Sequence, residues 1–156
     1  MTGASATDTA ARDHAAYSDA YLRGILTETH VIAVVGASPN WNRPSYFVMK
    51  YLQGKGFRVI PVNPGAAGGT LLGESVYARL AEIPVPIDMV DVFRKSSAVG
   101  GVVDEALALD PLPRAIWMQF GVRDDEAARR AEARGVRVVM NRCPKVEYAR
   151  LFGELG

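Results

Sequence analysis

The chain has 156 residues, 49% of them hydrophobic and 22% charged, and 18 Lys and Arg against 17 Asp and Glu leave a net charge of +1. That length and apolar content suit one domain with its own core and exclude global disorder. Interspersed charges without a basic run exclude an electrostatic footprint for nucleic acid, and the apolar runs are strand-sized, short of the roughly 20 residues that cross a bilayer.

Residues 1–12 are small and polar, and are expected to form a flexible tail ahead of a single domain over 13–156. They lack the charged and apolar regions of a secretory signal. The one cysteine, Cys143, cannot form an internal disulfide, which points to a reducing compartment with the cytoplasm as the default. Tyr17, Tyr21 and Ile25 recur every four residues beside Ala20 and predict an amphipathic helix, its end blurred by Gly24.

Val31–Val35 is a β-branched run, read as a strand buried on both faces. Phe47, Val48, Tyr51 and Leu52 make a helical stripe within Ser45–Gln53, closed by Gly54 and Gly56. Phe57–Val62 is a second strand, stopped at Asn63-Pro64-Gly65; Leu71-Leu72 predicts a short strand and Ala78–Ala81 a helical turn. Ile87–Phe93 is the third strand. Ser96 or Ser97 is expected to cap a helix whose Val99, Val102, Val103 and Ala106 fall at i, i+3, i+4 and i+7. Ala115–Met118 is the fourth strand. Asp124-Asp125-Glu126 places acids in the first turn of a helix ended by Gly135. Val136–Met140 is the fifth strand, and Pro144 opens a last helix through Leu151. Strands alternating with helices imply a doubly wound α/β fold of about five main strands in a mostly parallel sheet.

In such folds ligands bind beyond the carboxyl ends of the strands. Those ends read Gly36-Ala37-Ser38, Asn63-Pro64, Phe93-Arg94-Lys95, Gln119-Phe120-Gly121 and Asn141-Arg142-Cys143; each carries a glycine, an amide or a cation, and none ends in Asp or Glu. The first, with Asn40, Arg43 and Ser45 following, has the form of a phosphate cradle: glycine for close approach, amides of the turn and helix start for anionic oxygen, neutral hydroxyls and one guanidinium. A plain strand-to-helix turn is the alternative. A nicotinamide dinucleotide fingerprint wants G-x-G-x-x-G, but Ser38 and Trp41 stand at the second and third glycine positions. It also wants an acid about 20 residues on for the ribose, where Asn63 stands. No Walker lysine follows Gly36. Arg94 with Lys95, and Arg142 with Lys145, are phosphate partners or solvated pairs; Gln119 and Gly121 line a ligand or shape a turn. Cys143 could be activated by its cationic neighbours, but the only histidines, His14 and His30, precede the cradle, so no catalytic residue is assigned. No Cys/His cluster suggests a metal.

The ordered series Val34-Val35-Gly36-Ala37-Ser38-Pro39, Arg43-Pro44-Ser45, Gly56-Phe57-Arg58-Val59-Ile60-Pro61-Val62-Asn63-Pro64, Val90-Asp91-Val92-Phe93-Arg94 and Asn141-Arg142-Cys143-Pro144-Lys145 resembles the stand-alone CoA-binding domain proteins, which are similar to the amino-terminal domain of the succinyl-CoA synthetase α subunit. The resemblance runs from about residue 28 to the end. It implies a Rossmann-like fold binding coenzyme A or an acyl-CoA along the carboxyl edge. Gly36, Ala37, Ser38, Asn40, Arg43 and Ser45 would face the phosphates. Asn63, Pro64, Phe93, Arg94, Lys95, Gln119, Gly121, Asn141, Arg142 and Cys143 are the other candidate ligand residues. The family's last motif usually reads Asp-Arg-Cys and closes in Glu-His; here it is Asn141-Arg142-Cys143 and Glu147-Tyr148, which argues against a proton-transfer role at this corner.

The leading expectation is therefore a coenzyme A module without catalysis of its own. The alternatives are an NAD(P)-dependent oxidoreductase on the same fold, and a regulatory or scaffold protein with a vestigial nucleotide pocket whose interface is the first helix, with Tyr17 and Tyr21 exposed or packed on a partner. A protein partner or homodimer fits any of the three.

Overall fold

The computed structural model describes residues 13–153; the expected tail, 1–12, and residues 154–156 lie outside the described residues. In chain order the elements are α1 (Asp19–Glu28), β1 (Val31–Val35), α2 (Pro44–Gly54), β2 (Arg58–Val62), β3 (Thr70–Leu71), β4 (Glu74–Ser75), β5 (Met89–Val92), α3 (Val99–Leu107), β6 (Ala115–Met118), α4 (Asp125–Ala133), β7 (Arg137–Val139) and α5 (Pro144–Phe152). Single 3-10 turns sit at Pro64–Ala66, Leu80–Glu82 and Ser96–Ala98.

The main sheet has five strands in the order β2-β1-β5-β6-β7, and every neighbouring pair is parallel. Parallel strands covered on both faces read as continuous β-branched runs, as Val31–Val35 does. Alternate residues serve opposite cores. Ala33, Val35, Val90, Val92, Ile116 and Met118 pack with α3 and α4, whereas Ile32, Val34, Met89, Trp117 and Val139 pack with α1, α2 and α5. Each such large side chain removed from water contributes about 1.5–3 kcal/mol, so these two layers carry the fold.

The first helix begins later than the tyrosine spacing predicts. Tyr17 precedes it, Ser18 Oγ caps it by accepting from Tyr21 N, and Leu22, Ile25 and Leu26 form its buried stripe. The predicted serine cap on α3 is also corrected. Ala98 holds the cap position with no side-chain bond, and a 3-10 turn intervenes. Ser96 Oγ instead donates to Gly121 O and accepts from Arg123 N, tying the turn after β6. The short strand expected at Leu71-Leu72 is half of a tight hairpin, with Leu72 and Gly73 both at positive φ. Asp124 caps α4 by accepting from Ala127 N.

The two edges of the sheet are closed differently. Beyond β2, Asn63 N donates to Tyr77 O and Tyr77 N to Pro61 O, so backbone covers backbone. Beyond β7, two tyrosine hydroxyls meet the strand.

Candidate functional site

In this strand order β2 lies on one side of β1 and β5 on the other, so the connections from β1 and β5 leave in opposite directions. A crevice opens at their carboxyl ends, the usual ligand position of a doubly wound sheet. Three recesses adjoin there. One of about 290 Å³ lies between the β1 turn and the start of α2, with Gly36, Ser38, Arg43, Pro44 and Ser45. A second, about 410 Å³, includes Gly36, Asn63, Pro64, Arg94 and Glu105. A third, about 420 Å³, includes Pro44, Arg94, Lys95, Gln119, Phe120 and Val122. Phe93 lines all three and is the pivot of the trench.

Gly36 is fixed by packing. Its φ is +90°, and a Cβ there would stand 2.5 Å from the Phe93 carbonyl oxygen and 3.1 Å from Arg94 Cδ. Only glycine lets the end of β1 lie against the end of β5. The turn amides, expected above to be free, are already engaged. Gly36 N and Ala37 N both donate to Val62 O at 3.0 and 3.3 Å, Ser38 N donates to Ser45 Oγ at 3.0 Å, and Asn40 N donates to Ser38 Oγ at 3.1 Å. An anion in the first recess therefore meets hydroxyl groups, the start of α2 and the Arg43 side chain rather than an empty amide nest.

Asn63 is equally committed. Its Nδ2 donates to Ala37 O at 2.7 Å and its Oδ1 accepts from Gly65 N at 2.8 Å, so this amide braces the β1 turn against the β2 turn. The carboxylate in the second recess is Glu105, whose Oε1 accepts from Leu80 N at 3.2 Å.

Seven arginines are ion-paired among the described residues, whereas Arg23, Arg129, Arg134 and Arg142, away from the three recesses, are not. Arg58, Arg79, Arg114, Arg123, Arg130, Arg137 and Arg150 each pair with Asp or Glu within 4 Å. Among the described residues Arg43, Arg94 and Lys95 have no such partner. The third recess is walled by Pro44, Phe93, Phe120 and Val122, and beside them Gln119 Oε1 is buried with no hydrogen-bond partner.

The expected residues thus divide. Gly36, Ser38, Arg43, Ser45, Asn63, Pro64, Phe93, Arg94, Lys95 and Gln119 come together on the trench. Ala37 is buried behind the turn, and Asn40 is exposed beside it. Gly121 and Asn141 bind each other, Gly121 N donating to Asn141 Oδ1 at 2.7 Å, with Asn141 at φ +58°. Arg142 turns its guanidinium over the Tyr17 ring, 5.3 Å from the centroid. Cys143 is buried before α5. These last four line none of the three recesses. Sequence reasoning missed Phe120, Pro44 and Glu105; a large aromatic exposed immediately after a strand, as Phe120 is at 57%, was the available signal.

One more acid lies beneath the site. Asp91 in β5 is fully buried between Val34 and Trp117 in register, and neither carboxylate oxygen has a hydrogen-bond partner. Burial holds its carboxyl well above the usual carboxylate range.

Comparison with known proteins gives a consistent picture. A family model described as a CoA binding domain matches residues 30–149. An uncharacterised protein of Bacillus subtilis is 39% identical over 132 residues, covering 85% of this chain and 95% of that one. A solved structure from Thermus thermophilus superposes with a TM-score of 0.82 at 40% identity, over 87% of this chain and all of the other. A hypothetical protein from Pyrococcus horikoshii gives 0.82 at 36%, over 91% and 97%. A dinucleotide-forming acetyl-coenzyme A synthetase of Ca. Korarchaeum cryptofilum, solved with phosphate and ADP, matches at 25% identity and a TM-score of 0.59, over 69% of this chain and 25% of that enzyme. With its Rossmann-like sheet and its ordered motifs, this chain belongs to the CoA-binding domain family.

Proposed function

We propose that the protein binds coenzyme A or an acyl-CoA across the three recesses, as a binding module without chemistry of its own. The observation that carries this reading is the gathering of Arg43, Arg94 and Lys95, none with a carboxylate within 4 Å among the described residues, around one switch-point crevice. Coenzyme A brings a diphosphate, a 3′-phosphate and a long neutral arm. The phosphates suit the first recess and Arg94, which reaches both of the others; charge-assisted hydrogen bonds of this kind are the strong ones. The neutral arm, with two amides, suits the apolar third recess and the buried acceptor Gln119 Oε1. Binding without reaction is supported by the placement of the reactive groups: Cys143 is buried away from the trench, and His14 binds Tyr17 and Glu132.

Parallel calorimetric titrations with coenzyme A, acetyl-CoA and NAD test the proposal. Binding of the two coenzyme A ligands with NAD silent is expected. Binding of NAD, or silence from all three, overturns it.

A further inference from the structure

The second recess contains an acid, Glu105, in a crevice whose other charged side chains are cations. Glu105 belongs to α3 and is anchored from behind. Its Oε1 accepts from Leu80 N at 3.2 Å, which ties it to the 3-10 turn Leu80–Glu82. Its Oε2 has no hydrogen-bond partner among the described residues, and the side chain is exposed, so that oxygen is open to a ligand. Arg94 lines the same recess, yet the two are not ion-paired.

The other polar groups of the recess are occupied. Asn63 is held to Ala37 O and Gly65 N, and Gly36 N to Val62 O. The side chains with capacity to spare are Arg94, which can only donate, and Glu105, which can only accept. Much of the remaining wall is apolar, with Val62, Pro64, Phe93 and Val102. A ligand that fills this recess therefore needs an apolar body, an anion for Arg94 and an uncharged N–H or O–H for Glu105. A phosphate set against Glu105 would meet like charge.

These demands select one end of coenzyme A. The diphosphate has no uncharged donor, and the arm carries no anion of its own. The 3′-phosphoadenosine has all three: a flat base, a phosphate, and donors at the 6-amino group and the 2′-hydroxyl. Resting on the reading of this protein as a coenzyme A module, we infer that Glu105 is a specificity-determining residue that reads the adenosine end of the ligand by accepting from one of those two donors. In a nicotinamide dinucleotide fold the acid that grips the ribose stands at the end of β2. Here that place is held by Asn63, which is committed to the turns, and the acid of the recess comes from α3 instead.

The test is calorimetry of the whole chain and of Glu105→Gln with three ligands: coenzyme A, its 2′-deoxy analogue, and its hypoxanthine analogue, in which an oxygen replaces the 6-amino group. The glutamine keeps an oxygen for Leu80 N and turns a donor toward the ligand in place of the free acceptor. Ratios between ligands on one protein are compared, because removing a negative charge favours every anionic ligand alike. Wild type should bind coenzyme A at least about tenfold more tightly than the analogue that lacks the donor Glu105 reads, the worth of a hydrogen bond to a charged group. In Glu105→Gln that ratio should collapse to about one for the 2′-deoxy analogue if the hydroxyl is read. It should invert for the hypoxanthine analogue if the base is read, since its oxygen then meets an N–H. Either result supports the inference and identifies the donor. A wild type that distinguishes neither analogue overturns it, and so does a preference that survives unchanged in Glu105→Gln. If Glu105→Gln has a lowered Tm, Glu105→Ala is read in the same way, with loss of the wild-type ratio expected and its persistence overturning the inference. Silence of wild type toward coenzyme A itself overturns the proposed function and this inference with it, whereas binding that ignores position 105 overturns this inference alone.

Discussion

The two ends of the sheet hold clefts of equal size and opposite character. At the amino edge, Leu80, Pro84, Pro86, Leu109 and Pro111 surround a cleft of about 410 Å³, the same as the second recess of the carboxyl edge. Its one charged lining residue is an acid, Asp110, and the cation nearby, Arg114, is paired. Asp88 Oδ2 accepts from His30 N and Val31 N, both at 2.9 Å, and Arg114 lies within 4 Å of Asp88 and Glu28. At the carboxyl edge the amides of the β1 turn are likewise satisfied, but Arg43, Arg94 and Lys95 remain without carboxylates among the described residues. Volume does not distinguish the two ends; surplus charge does. A cation left unpaired beside a crevice is the mark of an anion to come, whereas a paired one belongs to the fold.

Substitutions can break this comparison. The largest effect is expected from Gly36→Val, because the new side chain would meet the Phe93 carbonyl and adopt a positive φ. A loss of about 3 kcal/mol in unfolding free energy is expected, seen as a lower Tm without any ligand. A variant that keeps its Tm and loses only ligand would return Gly36 to a purely binding role. Arg94→Ala should leave stability unchanged and cost about 1.5–3 kcal/mol of coenzyme A affinity, the worth of hydrogen bonds to a charged group. The loss should be larger for coenzyme A than for dephospho-CoA in calorimetry if Arg94 meets the 3′-phosphate; equal losses place it on the diphosphate.

Asp91→Asn sharpens the comparison from beneath. The folded state raises the Asp91 pKa, so folding favours the protonated acid. The stability this group allows is fully present below the unfolded carboxylate range, near pH 4, and is lost as pH rises toward the raised folded value. The asparagine variant should be more stable than wild type at neutral pH and should lack that component of the slope, read from urea unfolding between pH 4 and 8. Identical slopes would mean that Asp91 finds a partner in solution. The smallest effect belongs to Arg114→Ala at the opposite edge, whose side chain is 60% exposed. A change of under about 1 kcal/mol and no change in coenzyme A affinity are expected, since exposed pairs contribute little.

The strands were legible because β-branched runs buried on both faces have few other uses; Ala115–Met118 falls where its composition placed it. The strand ends pointed to the crevice, since a doubly wound order leaves one place for it. What stayed hidden depended on contacts between distant residues. Ser96 looks like a helix cap but serves the turn after β6, 25 residues on. Asn141 and Gly121 look like ligand donors but are occupied with each other. Tyr17 and Tyr21 read as one face of a helix, or as a partner's landing site, until β7 is seen to lie beside them. Periodicity reports which face is covered, and is silent about what covers it.

The double commitment of Asn63 bears on how this protein could change its ligand. A dinucleotide site of the nicotinamide kind needs an acid at the end of β2. An aspartate at 63 would keep the acceptor for Gly65 N but lose the donor to Ala37 O, setting a carboxylate against a carbonyl at the Nδ2 contact of 2.7 Å. The first step toward that specificity would loosen the turn that holds the crevice open. A single substitution toward that specificity works against the contact that joins the β1 and β2 turns.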